Sequence, residues 1–229
     1  MNPTAATYPE ASTVRRRLQG GGGDEAASLR SWVRHFLEQV AKGECAPVGK
    51  LHPLGFHCIP VYRSAEFGLC VHGWLPGAQR EVSPTSDMHM HTFDMISAVI
   101  AGNVINKELE LVDGGTDRYR IFEISKDGGE DVDVFTDTGL ETAIEERRIS
   151  KISAGEQYGI ERFVYHSADE TVRNQDFTVT LMLAQNWDDS PQRTLVEAAR
   201  AATIPLRYER TMLSAGATQE AALDMLSML

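Results

Sequence analysis

Three histidines could do chemistry in this chain. His89 and His91 lie two residues apart in Met88-His89-Met90-His91-Thr92-Phe93-Asp94, and His166 follows in Val164-Tyr165-His166-Ser167. Neutral imidazoles bind Fe, Zn, Ni and Cu, and three of them leave coordination positions open on an ion for a substrate. In an extended strand, residues i and i+2 project to one face, so His89 and His91 are presented together. His166 belongs to a different strand-like segment, ahead of the apolar run Phe177-Thr178-Val179-Thr180-Leu181-Met182-Leu183. A shared site therefore requires a barrel that brings the two strands side by side.

The elements that must do this are short runs rich in Val, Ile, Phe, Tyr and Thr, separated by turn residues, from Phe56 to Trp187. They predict strands over 57–62, 67–74, 89–101, 104–112, 118–124, 131–135, 140–152 and 177–185. Successive antiparallel strands at this density imply a mainly β barrel or sandwich. Alternation along 89–101 puts His89, His91, Phe93, Met95, Ser97 and Val99 on one face, and Asp94 on the other. The acidic stretch 125–146, with Asp127-Gly128-Gly129, reads as an exposed hairpin at the barrel edge.

Outside the β-region, residues 1–23 end in four consecutive glycines and lack apolar periodicity, so a disordered arm is expected, with Arg15-Arg16-Arg17 as a solvated triplet. Residues 24–55 form an N-terminal helical segment. Asp24 is its expected N-cap, and Leu29, Trp32, Val33, Phe36, Leu37 and Val40 recur at helical spacing. Residues 188–229 are read as C-terminal helices. One starts at Ser190-Pro191 and runs through Ala202; a second opens near Thr218 and Glu220, with Leu223, Leu226 and Leu229 covering the barrel or a homodimer partner.

Composition bounds the partners. At 229 residues the chain suits one domain with flanking helices, and a net charge of −11 argues against nucleic acid and against an anionic membrane. A small-molecule ligand is expected. With no apolar run long enough for a signal peptide or a membrane span, the expected location is cytoplasmic. Cys45, Cys58 and Cys70 show no CxxC spacing and are expected to be reduced, with Cys70 a packing residue. His52, His57 and His72 have no matching constellation and are read as structural. The absence of a GxSxG sequence gives no support to a serine hydrolase.

The HxH pair followed by Gly102 resembles the first motif of the cupin superfamily, and Gly155-Glu156-Gln157-Tyr158-Gly159-Ile160 leading to His166 resembles the second. The resemblance spans 56–187 and implies a double-stranded β-barrel, or jelly roll, with N- and C-terminal helices. The glutamate of the first motif is missing, since Met95 and Ile96 stand at its offsets. Three histidines without that carboxylate are similar to the iron site of the thiol dioxygenase branch, typified by cysteine dioxygenase. Arg63 stands where that branch carries an arginine for the substrate carboxylate, whereas Ile96 stands near its cross-linking cysteine.

The resemblance thus implies an Fe(II) dioxygenase taking O₂ and a small amino or thiol acid, with His89, His91 and His166 on the metal and Arg63 on the substrate. Tyr158 is a candidate donor near the pocket, and Tyr165 should face away from His166. Zn, Ni or Cu would also suit the ligands. A metal-dependent isomerase or epimerase and a non-catalytic ligand-binding barrel are the alternative readings.

Overall fold

A computed structural model describes residues 10–21, 23–75, 87–127, 131–168 and 177–229. Among the described residues there are three α-helices, α1 (Ala11–Gly20), α2 (Gly23–Ala41) and α3 (Ala215–Ser227), together with a 3-10 helix over Ala198–Thr203. The strands are β1 (Lys50–Leu51), β2 (His57–Arg63), β3 (Phe67–Trp74), β4 (His89–Met90), β5 (Asp94–Ala101), β6 (Asn103–Val112), β7 (Tyr119–Lys126), β8 (Val132–Ser153), β9 (Gln157–Ile160), β10 (Tyr165–Ser167), β11 (Thr178–Gln185), β12 (Gln192–Glu197) and β13 (Arg207–Glu209). They form two antiparallel sheets, ordered β1-β2-β3-β11-β5-β9 and β13-β8-β6-β10-β4-β12-β7. The fold is mainly β, a jelly-roll arrangement with helices at both ends of the chain.

The long β8 pairs with β7 through its first half and with β6 through its second, so the second sheet curls back on itself. The two segments expected at 131–135 and 140–152 are one continuous strand, and the acidic hairpin is part of this ladder. Its glycines, Gly128 and Gly129, lie outside the described residues.

The helices cover one face of the first sheet. Leu69 and Val71 of β3, Ala98 and Ile100 of β5, and Leu181 and Leu183 of β11 form one cluster with Val33, Phe36 and Leu37 of α2. Each fully buried aliphatic side chain contributes about 1.5–3 kcal/mol. The opposite face of the same strands is left to line the barrel. Met225 of α3 packs so closely on β3 that a Cβ on Gly73 would stand 2.3 Å from Met225 Cε. Gly102 turns β5 into β6 at φ 76°, and a Cβ there would lie 2.1 Å from the Phe177 carbonyl oxygen. Only glycine fits that corner.

Several expectations need correction. Part of the arm is ordered: Val14 and Leu18, four apart, bury one face of α1 in the helix-covered core. Arg15 lies over the Phe67 ring at 4.8 Å, so the basic triplet is not wholly solvated. Residues 192–197 are β12 rather than helix, because the strand fills the gap between β4 and β7 and buries Leu195. With β1 and β13, it carries the sheets beyond the expected limits of 56–187.

In α3 the buried face is Thr218, Ala221, Ala222 and Met225, while Leu223 is 56% exposed. Small alanines let the helix approach α2 and β3, and Ser214 caps it by accepting from the Ala217 N–H at 3.1 Å. Helix α2 starts one residue before Asp24, whose side chain is outside the described residues. Among the described residues, no helix is long and apolar enough to cross a membrane.

The predicted strand 89–101 is broken at 91–93. β4 belongs to the second sheet and β5 to the first, so the chain crosses between sheets at this bend. The carbonyls freed by the break are satisfied: His91 O accepts from Phe163 N–H at 2.8 Å and Thr92 O from Asp188 N–H at 2.7 Å.

Candidate metal centre

His89 on β4 and His166 on β10 are direct register partners, and His91 follows two residues on. Residues facing each other across a ladder share a face, which brings the third imidazole to the first two. One ring nitrogen from each of the three lies within 4.8 Å of the others. Ring centroids are 4.7 Å apart for His89 and His91, 4.5 Å for His89 and His166, and 4.9 Å for His91 and His166. Among the described residues, no carboxylate joins the group.

Two rings have a defined tautomer. His89 Nδ1 lies 2.7 Å from the Asp87 carbonyl oxygen and His166 Nδ1 lies 3.1 Å from that of Val164. A carbonyl only accepts, so both Nδ1 atoms carry the proton and both Nε2 lone pairs are available to a metal. Asp87 further ties the two strands, its carboxylate accepting from the Ser167 hydroxyl. His91 Nδ1 is buried without a hydrogen-bond partner among the described residues, a polar demand that a bound ion or water would meet.

Burial also keeps the imidazoles neutral. It lowers His89 below the ordinary histidine range, against the pull of Asp87. It lowers His91 well below that range, assisted by His89, His166, His52 and His72. His166 is pushed down to about 3, by burial and then by His89. Neutral histidine is the ligand form, so the donor set fits a divalent transition metal.

The aromatic wall around these ligands was not singled out in the sequence. Phe93 stacks on His91 at 4.5 Å, and Trp187 meets Phe93 edge-on at 4.7 Å. Phe93 was legible as a residue on the histidine face; Trp187 was only the end of the β-region. Phe163, whose N–H holds the His91 carbonyl, has φ 68°, an uncommon conformation for a bulky residue.

Arg63 closes β2 and is exposed, with its guanidinium carbon 5.8 Å from the Trp187 ring centroid. It is connected to the histidines through Trp187 and Phe93 and is not one of the metal-binding group. Tyr158 of β9 pairs in register with Ser97. It packs with Phe93, Met95, Ile160 and Ala184, and burial pushes its hydroxyl up to about 12. Tyr165 faces the other way, among Met90, Leu109, Ile121 and Leu195.

Asp94 stays out of the cluster. Its carboxylate accepts from Asn186 Nδ2 at 2.7 Å and Arg162 N–H at 3.0 Å, and these bonds, Asn186 first, lower its pKa. Arg120 pairs with Asp137 and Glu141.

No protein-family model matches this sequence, and no curated protein matches it. Among solved structures, it is similar to TT1209 from Thermus thermophilus over 59% of this chain and 88% of that one, at 12% identity and a TM-score of 0.33. It is similar to the conserved SPY1581 protein of Streptococcus pyogenes over 57% and 75%, at 10% identity and a TM-score of 0.29. Similarity to the formate complex of Lactobacillus farciminis oxalate decarboxylase covers 70% of this chain and 44% of that one, at 12% identity and a TM-score of 0.34.

Proposed function

We propose that the chain is a mononuclear metal enzyme of the cupin type, an Fe(II) dioxygenase of a small amino or thiol acid. The observation that carries this reading is the set of three neutral imidazoles, with His89 and His166 oriented by backbone carbonyls and, among the described residues, no carboxylate in the group. His89, His91 and His166 would hold the ferrous ion, which when bound would supply the oxygen chemistry and open positions for a bidentate substrate. Phe93 and Trp187 keep one side of the site apolar. Arg63, over Trp187, is assigned to the substrate carboxylate, which its planar fork matches bidentately. Tyr158, protonated at neutral pH, is assigned as a hydrogen-bond donor on the barrel wall.

The test is metal analysis of protein purified without an affinity tag, followed by O₂ uptake with a panel of small amino and thiol acids. Iron at one equivalent, with O₂ consumed in step with substrate, is expected. Substrate conversion without O₂ uptake would replace oxygenation by isomerisation, and ligand binding indifferent to metal removal would replace catalysis by binding alone.

A further inference from the structure

The geometry that gathers the three histidines recurs on the other sheet with different ligands. Cys70 and His72 lie two residues apart on β3 and therefore share a face. Cys58 on β2 is the register partner of His72, as His166 is of His89. The two sulfurs and a nitrogen of His72 all lie within 4.8 Å of one another. All three cysteines of the chain are free thiols in the structure. Around the trio, Leu54, Phe56 and Trp74 pack against Cys58 and Cys70, and Phe56 lies 4.8 Å from the His72 ring.

An imidazole and two thiols converging in an apolar patch are an expensive way to fill space, since a polar ring in such surroundings needs a partner. We propose that Cys58, Cys70 and His72 form a second metal site, separate from the three-histidine centre, that takes a thiophilic divalent ion, zinc. Two thiolates and one imidazole are a zinc donor set that leaves the fourth position open, and the thiolates neutralise the ion's charge within an apolar wall. His52 does not complete the set. Its Nδ1 accepts the Leu54 N–H at 3.2 Å, so Nε2 carries the proton and cannot offer a lone pair. The fourth position is left to water or a small ligand. Soft and borderline donors then divide the barrel into two centres, and this one does not depend on the oxygenase reading.

The experiment uses the full chain, reduced with a thiol-free reductant and loaded with Co²⁺ as a spectroscopic stand-in for Zn²⁺. A thiolate-to-cobalt charge-transfer band reports sulfur ligands, and cobalt on three imidazoles gives none. The wild type should show the band at one equivalent of sulfur-bound cobalt, and zinc should abolish it by displacement. Cys58→Ser and Cys70→Ser should each cut the band to half or less, and the double variant should lose it yet still bind cobalt at the histidines. His72→Ala should weaken the sulfur site by at least the ten- to hundredfold that loss of a mere supporting partner costs.

A measurement that needs no variant guards against misfolding. Zinc should protect the part-exposed Cys70 thiol from a thiol reagent in the native wild type, and a chelator should reverse this. Absence of the sulfur band in cobalt-saturated wild type, its full strength in either cysteine variant, or equal reactivity of Cys70 with and without zinc would overturn the proposal. So would a Cys58–Cys70 disulfide forming in air in zinc-equilibrated protein.

Discussion

His89 and His166 face each other across a two-strand ladder with ring centroids 4.5 Å apart, and each donates its Nδ1 proton to the carbonyl two residues before it. The same local device therefore leaves both Nε2 lone pairs free for a metal. His166→Ala should sharply lower metal occupancy while leaving the barrel folded, because the helix-covered core does not involve this residue. Metal analysis and circular dichroism on one preparation check it. Wild-type occupancy in the variant would sink the three-histidine centre.

Asp94 gives the complementary result. Its carboxylate is occupied by Asn186 and the Arg162 N–H, so Asp94→Asn should leave metal content unchanged. The lowered pKa means that its contribution to stability is present above the ordinary carboxylate range and is lost as pH falls through the depressed value. The wild-type advantage over Asp94→Asn should thus be small and should disappear in acid, as read from denaturant midpoints. A large drop in bound metal would make Asp94 a ligand instead.

The metal-free protein should be acid-sensitive in a defined window. Between its ordinary value of 6.5 and the depressed value of about 3, His166 is protonated in the unfolded chain but not in the folded one. The unfolded state binds more protons there, so stability falls as pH falls, by about 1.4 kcal/mol per unit for one such group. His89 and His91 act in the same direction. Urea melts of chelator-treated protein should show the slope, and His166→Gln should flatten part of it. A midpoint constant across the window would contradict the buried, neutral cluster.

Arg63→Lys keeps the charge but loses the planar fork and weakens the contact over Trp187. With a substrate in hand, affinity should fall about ten- to a hundredfold, the equivalent of a charged hydrogen bond worth roughly 1.5–3 kcal/mol. Metal content should be unchanged. Unaltered affinity would return Arg63 to a packing role on Trp187.

Local periodicity was enough to read much of this molecule. The spacing of His89 and His91 placed both imidazoles on one face, the alternation through Val99 identified a barrel-facing set, and the helical recurrence of Leu29, Val33, Phe36 and Leu37 marked α2. These are properties of a single strand or helix, set by the side-chain repeat of the backbone. Other features depended on partners distant in the chain. Residues 192–197 became a strand because β4 and β7 offered hydrogen bonds on both sides, and α1 ordered because Val14 and Leu18 found a core to enter.

The strand through His91 broke because the chain had to pass from one sheet to the other, which no local pattern records. In the sequence Cys70 read as a packing residue and His72 as a structural histidine, with nothing to link either to Cys58; only the β2–β3 register sets Cys58 opposite His72. Spacing determined which side chains share a face on their own strand. Register and sheet closure decided which strands meet, because pairing energy depends on hydrogen bonds and burial supplied by the whole fold.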